Sequence, residues 1–309
     1  MPSTNTLTKL ASELARIDGA TVREHEPLAK HTSFGIGGPA DVFVTPEDVR
    51  AVQELLRTTA DAGVQPVILG NGSNTIVRDE GVRGVVIRIA GTLGRIDTEG
   101  TLAVVEAGAT LASVCFSCAQ EGLSGLEFAA GIPGTLGGAL IMNAGANGGE
   151  MGDVTEWVEV VRPDGTITRI DGDAVDFQYR HSSLREVEGT IVRAGLRLEP
   201  GDPTEIHQGL CDTIALRCAK QPVSLPSAGS IFKRPGGDFA GRLLEEAGAK
   251  GMRVGNAAVS DKHANFVVNL GGATADDVLE LIEAARDLVY KKFDVLLELE
   301  VCVLGEGPK

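Results

Sequence analysis

The sequence predicts an α+β fold with mixed sheets, and three observations predict it. Strand-like and helix-like segments are interspersed along the whole chain. Two strand-like runs, residues 154–162 and 166–170, flank Pro163-Asp164-Gly165, a strong signal for an antiparallel hairpin. In the last third, Thr274-x-x-Asp277 opens a helix with apolar Val278, Leu281, Ile282, Ala285, Leu288 and Val289, and that helix leads into a strand.

In chain order, residues 1–20 read as a polar helix without the compact apolar run of a signal peptide. Residues 46–62 form a helix with Val49, Val52, Leu55 and Leu56 on one stripe. Residues 66–69 read as a buried strand, followed by Gly70-Asn71-Gly72-Ser73-Asn74 and a second strand over 75–77. Strands follow at 84–89 and 102–106, and a helix at 111–120. Residues 131–149 are so rich in glycine that neither a simple helix nor a strand is expected there. A strand over 189–198 precedes Glu199-Pro200-Gly201-Asp202-Pro203, where composition shifts and a domain boundary is expected. A helix over 204–218 comes next. The last strand is expected over 295–304, with Val295, Leu297, Leu299, Val301 and Val303 on one face and Glu298 and Glu300 sharing the other.

The 309 residues suit two or three subdomains, and 43% hydrophobic content allows a sizeable core. Lys and Arg total 28 against 43 Asp and Glu, a net charge of -15. That balance disfavours a nucleic-acid partner, whose phosphates call for clustered cations. No apolar run reaches the roughly 18–20 residues that a membrane helix requires. That, with the lack of a signal-peptide pattern in residues 1–20, leads to the expectation of a cytoplasmic protein. Five cysteines make an odd count and argue against a disulfide framework. Cys115-x-x-Cys118 has half of a metal or redox spacing, but no second pair completes it; core thiols and no metal are expected.

Gly70-Asn71-Gly72-Ser73-Asn74 lies between two strands. Glycine admits left-handed backbone angles, so successive N–H groups can line a phosphate-binding concavity, to which Ser73 and Asn74 add side-chain donors. A plain hairpin turn is the alternative reading. Gly131-Ile132-Pro133-Gly134-Thr135-Leu136-Gly137-Gly138 matches neither a nucleoside-triphosphate loop nor a Rossmann turn. With Asn143-Ala144-Gly145-Ala146-Asn147-Gly148-Gly149 it makes a third such stretch, which points to close backbone approach to an extended ligand.

These segments, together with His31-Thr32-Ser33-Phe34-Gly35-Ile36-Gly37-Gly38-Pro39-Ala40, Tyr179-Arg180-His181-Ser182, Gly229-Ser230-Ile231-Phe232-Lys233, Gly248-Ala249-Lys250-Gly251, Lys262-His263-Ala264-Asn265-Phe266 and Leu297-Glu298-Leu299-Glu300-Val301, occur in an order that closely resembles the UDP-N-acetylenolpyruvoylglucosamine reductases. The resemblance covers about residues 25–305. It implies a vanillyl-alcohol-oxidase-type fold: an N-terminal helix (1–20), two FAD-binding subdomains (21–85 and 86–200) and a C-terminal α+β substrate domain (201–309). It implies bound FAD, NADPH as co-substrate, and reduction of a UDP-sugar enolpyruvyl ether to UDP-N-acetylmuramate for peptidoglycan synthesis. A monomer is expected. An FAD-dependent sugar or alcohol oxidase of the same fold is the alternative.

The resemblance also implies the site. Gly70, Asn71, Gly72, Ser73, Asn74, Pro133, Gly134, Thr135, Gly138 and Gly145 would hold FAD. Arg180 would stabilise the charge that develops on the substrate carboxylate, a task suited to a guanidinium's permanent charge and bidentate geometry. Ser230 would donate the proton, although residue type alone does not choose it over Ser227. Glu300 would polarise the enol ether, directly or by holding Arg180, with Glu298 as its rival. Lys220 and His263 match positions on the phosphate and uridine side of the substrate, although His263 is equally readable as a core histidine. Arg234 stands where one branch of the family has Asn and is a further substrate contact. The short interval between Arg180 and Ser230 is similar to that of the branch without a tyrosine-bearing loop.

Overall fold

The structure is a computed structural model that describes residues 4–91 and 93–305. The chain divides into two compact units. The first comprises the described residues up to His25, Asp41–Asn71 and the described residues of Gly84–Ala215; the second comprises Glu26–Ala40, Gly72–Arg83 and those from Leu216 onward.

The first unit holds helix α1 (Thr4–Leu14) and two sheets. In the four-stranded sheet the order is Ala20–Pro27, Pro39–Pro46, Val82–Arg88, Val67–Leu69, with the last two parallel. Helix α2 (Val49–Asp61) begins where the Asp48 carboxylate accepts from the Ala51 N–H at 2.8 Å. It buries Ala51, Val52, Leu55, Leu56 and Thr59. Val49, expected on that stripe, is only partly buried against the core. The five-stranded sheet is antiparallel throughout, in the order Ile167–Asp171, Thr155–Val161, Thr190–Arg197, Leu102–Glu106, Ile96–Glu99. Its first hairpin turns at Pro163-Asp164-Gly165, closed by Arg162 N–H to the Thr166 carbonyl at 2.8 Å. Helix α3 (Leu111–Gln120) is capped by Thr110 and buries both Cys115 and Cys118. Burial pushes their thiols up, to about 12 and about 11 respectively, so they are un-ionised packing groups at neutral pH.

Residues 131–149 depart from expectation. Leu136–Ile141 forms a short helix, α4, with Gly137 and Gly138 inside it. The helix survives two glycines because Leu136, Ala139 and Leu140 are buried, and packing outweighs propensity. Helix α5 (Pro203–Lys220) follows, and the division between units falls within it, between Ala215 and Leu216.

The second unit packs α6 (Ala240–Ala247) and α7 (Ala275–Phe293) with a three-stranded antiparallel sheet, Arg253–Val254, Ala257–Val259 and Val267–Asn269. The expected capping box opens α7, with Thr274 and Asp277 bonding reciprocally. Asp79 also accepts from the N–H groups of Ala275 and Asp276, at 2.9 and 3.0 Å. A carboxylate there satisfies two orphan donors and opposes the positive helix end. Thr75–Val77 pairs in parallel with Cys302–Leu304. These contacts bring residues 72–83 into the C-terminal unit. Only Cys302–Leu304 of the expected 295–304 strand is regular. The expected apolar alternation does hold: Leu297 and Val301 are buried, and Val295, Leu299 and Val303 pack against the same core. No described helix is long and apolar enough to cross a membrane.

Candidate active site

In the first unit, Gly70 meets the glycine-rich segment Gly134–Gly138. A Cβ on Gly70 would lie 2.6 Å from Oγ1 of the buried Thr135. That segment lies backbone to backbone against residues 107–111: Leu136 N–H donates to Ala109 and Gly137 N–H to Ala107, both at 2.9 Å, and Leu111 N–H donates to Gly134 at 3.2 Å. A Cβ on Gly145 would lie 2.7 Å from the Gly149 carbonyl. At Gly70 and Gly145 the lack of a side chain admits close approach of the chain itself. Over Gly138 the nearest atom to an added Cβ is Thr135 Oγ1 at 3.7 Å, and over Gly148 nothing lies within 4 Å. Chain-packed glycines thus brace a loop that keeps an open face beside Gly138, an arrangement into which an extended diphosphate fits.

In the second unit, Gly72 has φ +58, and a Cβ there would sit 2.4 Å from the His31 carbonyl and 2.9 Å from Thr32 Cα. Ser33 N–H donates to the Gly72 carbonyl at 3.2 Å, and Ser33 Oγ to the Ser227 carbonyl at 2.7 Å. Gly72→Ala is expected to cost about 1–3 kcal/mol through enforced strain and displacement of this loop. Thermal melting and flavin content after purification check it, with both expected to fall. Asn74 donates from its amide to the Glu300 carbonyl at 3.1 Å, and its own carbonyl accepts from Cys302 N–H at 2.9 Å.

Ser230 and Glu300 lie on adjoining stretches of one short ladder. Glu300 N–H donates to Ile231, and Lys233 N–H to Glu298, each at 2.8 Å, about the bridge between Phe232 and Leu299. On its other side the Ile231–Phe232 segment is held by Asn265. Ile231 N–H donates to the Asn265 carbonyl at 2.9 Å; the Asn265 side chain accepts from Phe232 N–H at 3.0 Å and donates to the Phe232 carbonyl at 2.8 Å. The two rival glutamates have different settings. The Glu298 side chain is 77% exposed and lies 3.6 Å from Lys233 Nζ, whereas Glu300 is half-buried.

Arg180 occupies the second position of a two-residue turn between Phe177–Gln178 and His181–Ser182. Its φ is +56, a conformation usually left to Gly or Asn and costing roughly 1 kcal/mol or more. Its guanidinium lies over the ring of Tyr179, 4.9 Å from the centroid. The hairpin is bolted to the end of α4. Asn143, fully buried, donates to the Gln178 carbonyl at 3.1 Å and accepts from Gly152 N–H at 2.9 Å; Ser182 Oγ donates to the Ile141 carbonyl at 3.1 Å. Strain maintained by buried hydrogen bonds marks a position where geometry outweighs stability.

The three expected substrate contacts lie in separate local settings. Lys220 is exposed at the end of α5, whose Cys218 carbonyl accepts from Lys262 Nζ at 2.6 Å. Arg234 stacks over the exposed Phe239 ring, 4.5 Å from its centroid. His263 is half-buried, with Asn265 N–H donating to Nδ1 at 3.2 Å and its ring edge-on to Phe266. Burial, then the nearby Lys250 charge, lowers its pKa, so it is neutral at physiological pH. Of the motif 262–266, sequence reasoning singled out His263; the residue gripping the Ser230 segment is Asn265.

The glycine-braced loops and α+β scaffold fit a flavin-binding protein, and a family model described as an FAD binding domain, matching residues 40–171, places the chain in that class. A second, the UDP-N-acetylenolpyruvoylglucosamine reductase C-terminal domain, matches residues 221–304. The chain is 44% identical over 291 residues to a reductase of that name from Symbiobacterium thermophilum, covering 94% of both chains. It is 45% identical over 285 residues to one from Pediococcus pentosaceus, covering 92% of this chain and 95% of the other. The crystal structure of the Thermus caldophilus reductase superposes with a TM-score of 0.80 at 38% identity, covering 92% of this chain and all of that one. The chain belongs to the UDP-N-acetylenolpyruvoylglucosamine reductase family.

Proposed function

We infer that the protein is an NADPH-dependent flavoenzyme that reduces the enolpyruvyl ether of UDP-N-acetylglucosamine to UDP-N-acetylmuramate. Beyond family membership, the observation that carries this reading is the ladder holding Ile231 to Glu300, which brings Ser230 and the half-buried Glu300 onto adjoining stretches of chain. The residues of the glycine segments, Gly70, Asn71, Gly72, Ser73, Asn74, Pro133, Gly134, Thr135, Gly138 and Gly145, are assigned to FAD. Held there, FAD would supply two-electron hydride chemistry between NADPH and the substrate. The chain's own groups have the remaining work. An enol ether is electron-rich and resists hydride until its carboxylate is polarised. With a hydride added to the methylene carbon, the π pair moves toward the adjacent carbon and carboxylate. Arg180 stabilises that charge where it develops. Ser230 delivers its hydroxyl proton to the adjacent carbon and recovers one from solvent. Glu300, rather than the exposed Glu298, is assigned the polarising role. Lys220, Arg234 and His263 are assigned to the UDP portion. A net charge of -15 favours solubility, and the cytoplasm is the location assigned.

The test is steady-state NADPH oxidation with and without the enolpyruvyl UDP-sugar, with oxygen consumption recorded in parallel. Substrate-dependent oxidation without oxygen uptake is expected. Oxygen-dependent turnover of a sugar or alcohol without NADPH would favour an oxidase instead.

A further inference from the structure

We propose that Asn265 is a positioning residue for Ser230, completing a strand ladder with its side chain so that the serine hydroxyl is held for proton delivery. The proposal rests on the proton-donor reading of Ser230. Residues 231–233 are bonded on one side to 298 and 300 through main-chain groups. On the other side the main chain supplies one bond, from Ile231 N–H to the Asn265 carbonyl, and then turns away: the Phe266 carbonyl accepts from Ser260 N–H at 2.8 Å. At Phe232, where the ladder would end, the Asn265 amide takes both polar groups, accepting from N–H at 3.0 Å and donating to the carbonyl at 2.8 Å. Asn265 is 6% exposed and Phe232 3%, so without that amide both main-chain groups would be buried and unsatisfied. On the other flank, Gly229 has φ +77, and an added Cβ there would meet nothing nearer than Ser73 O at 4.0 Å. Beyond Gly229, Ser227 bridges Val268 and Ala228 is buried, so the chain is anchored on both flanks of Ser230. The anchor at Phe232 is the Asn265 amide.

Amide chemistry is specific for this task. A planar group with one donor and one acceptor reproduces a peptide edge. Aspartate keeps the shape, but its ionised form offers only acceptors and repels the Phe232 carbonyl; its protonated form restores the donor. Burial raises a carboxyl's pKa, so that transition falls above the usual carboxylate range.

The experiment uses FAD-loaded protein in anaerobic stopped flow, with Asn265→Asp, Asn265→Ala, Ser230→Ala and the corresponding double variants. Flavin reduction by NADPH and reoxidation by the enolpyruvyl UDP-sugar are followed separately. Asn265→Ala is expected to slow reoxidation about ten- to hundredfold, the scale of a small misplacement of a reacting group, while reduction stays within about twofold. Asn265→Asp is expected to match wild type at low pH and slow as pH rises through the buried carboxyl's pKa, a transition wild type lacks. In the Ser230→Ala background neither replacement slows reoxidation further. Equal slowing of both half-reactions, a flat pH profile for the aspartate variant, or undiminished effects on top of Ser230→Ala would each overturn the proposal. If Asn265→Ala does not fold, the aspartate profile decides alone. Unchanged reoxidation in Ser230→Ala itself would instead overturn the proton-donor reading.

Discussion

Ser230→Ala leaves reduction of the flavin by NADPH within about twofold of wild type and slows reoxidation by the enolpyruvyl substrate about 10²- to 10⁴-fold, the usual worth of a positioned general acid. The asymmetry arises because only the second half-reaction moves a proton to carbon. The Ser230 segment is clamped between Glu300 and Asn265 by main-chain and amide hydrogen bonds that do not involve the serine hydroxyl, so its removal leaves the ladder in place. Rapid-mixing measurements of each half-reaction check it. Equal losses in both would make Ser230 a structural residue.

Arg180→Asn separates stability from function. The replacement suits the left-handed turn position, where φ is +56 and Arg is strained; that relief, about 1 kcal/mol, offsets the lost stacking on Tyr179, so the variant melts close to wild type. It removes the cation assigned to the substrate carboxylate, so reoxidation slows about 10²- to 10³-fold, comparable to loss of one preorganised charge-stabilising group. Calorimetry beside single-turnover kinetics checks both halves. A large fall in melting temperature would mean that the guanidinium holds the hairpin together.

Where the physics is local, the sequence was legible. Helix α3 has the bounds expected, because Thr110 caps it and its apolar spacing is unbroken. The capping box at Thr274 and the turn at Pro163-Asp164-Gly165 fall where expected, since each rests on residues within a few positions of one another. What was hidden is non-local. Residues 72–83 join the C-terminal unit through the parallel pair with Cys302–Leu304 and through Asp79 at the start of α7, and nothing near residue 79 announces either. Residues 295–301 alternate as a strand should, but the alternation records burial alone; a strand also requires a partner, and this segment bridges only at Leu299.

The candidate site shows the same division. Arg180, Ser230 and Glu300 entered through ordered motifs, as did the glycine segments. The asparagines that hold them stood in the same motifs, but their anchoring role did not show there. Asn74, Asn143 and Asn265 bond to main-chain groups of Glu300, Gln178 and Phe232. Since main-chain partners are common to all residue types, no pattern in the partner signals the bond. A buried amide with both ends committed is visible only once the fold brings a backbone edge to it. The rivalry of Glu298 and Glu300 likewise needed coordinates, because a period of two places them on one face and says nothing of the exposure that separates them.

The central claim is that one protein accepts reducing equivalents from NADPH and delivers them to the enolpyruvyl ether without oxygen. Anaerobic single turnover tests it most directly. The FAD-loaded protein is reduced with one equivalent of NADPH, then mixed with the enolpyruvyl UDP-sugar. The account predicts full return of the oxidised flavin absorbance, with one equivalent of the lactyl ether formed. A flavin that stays reduced until oxygen is admitted, with no lactyl ether, would contradict it.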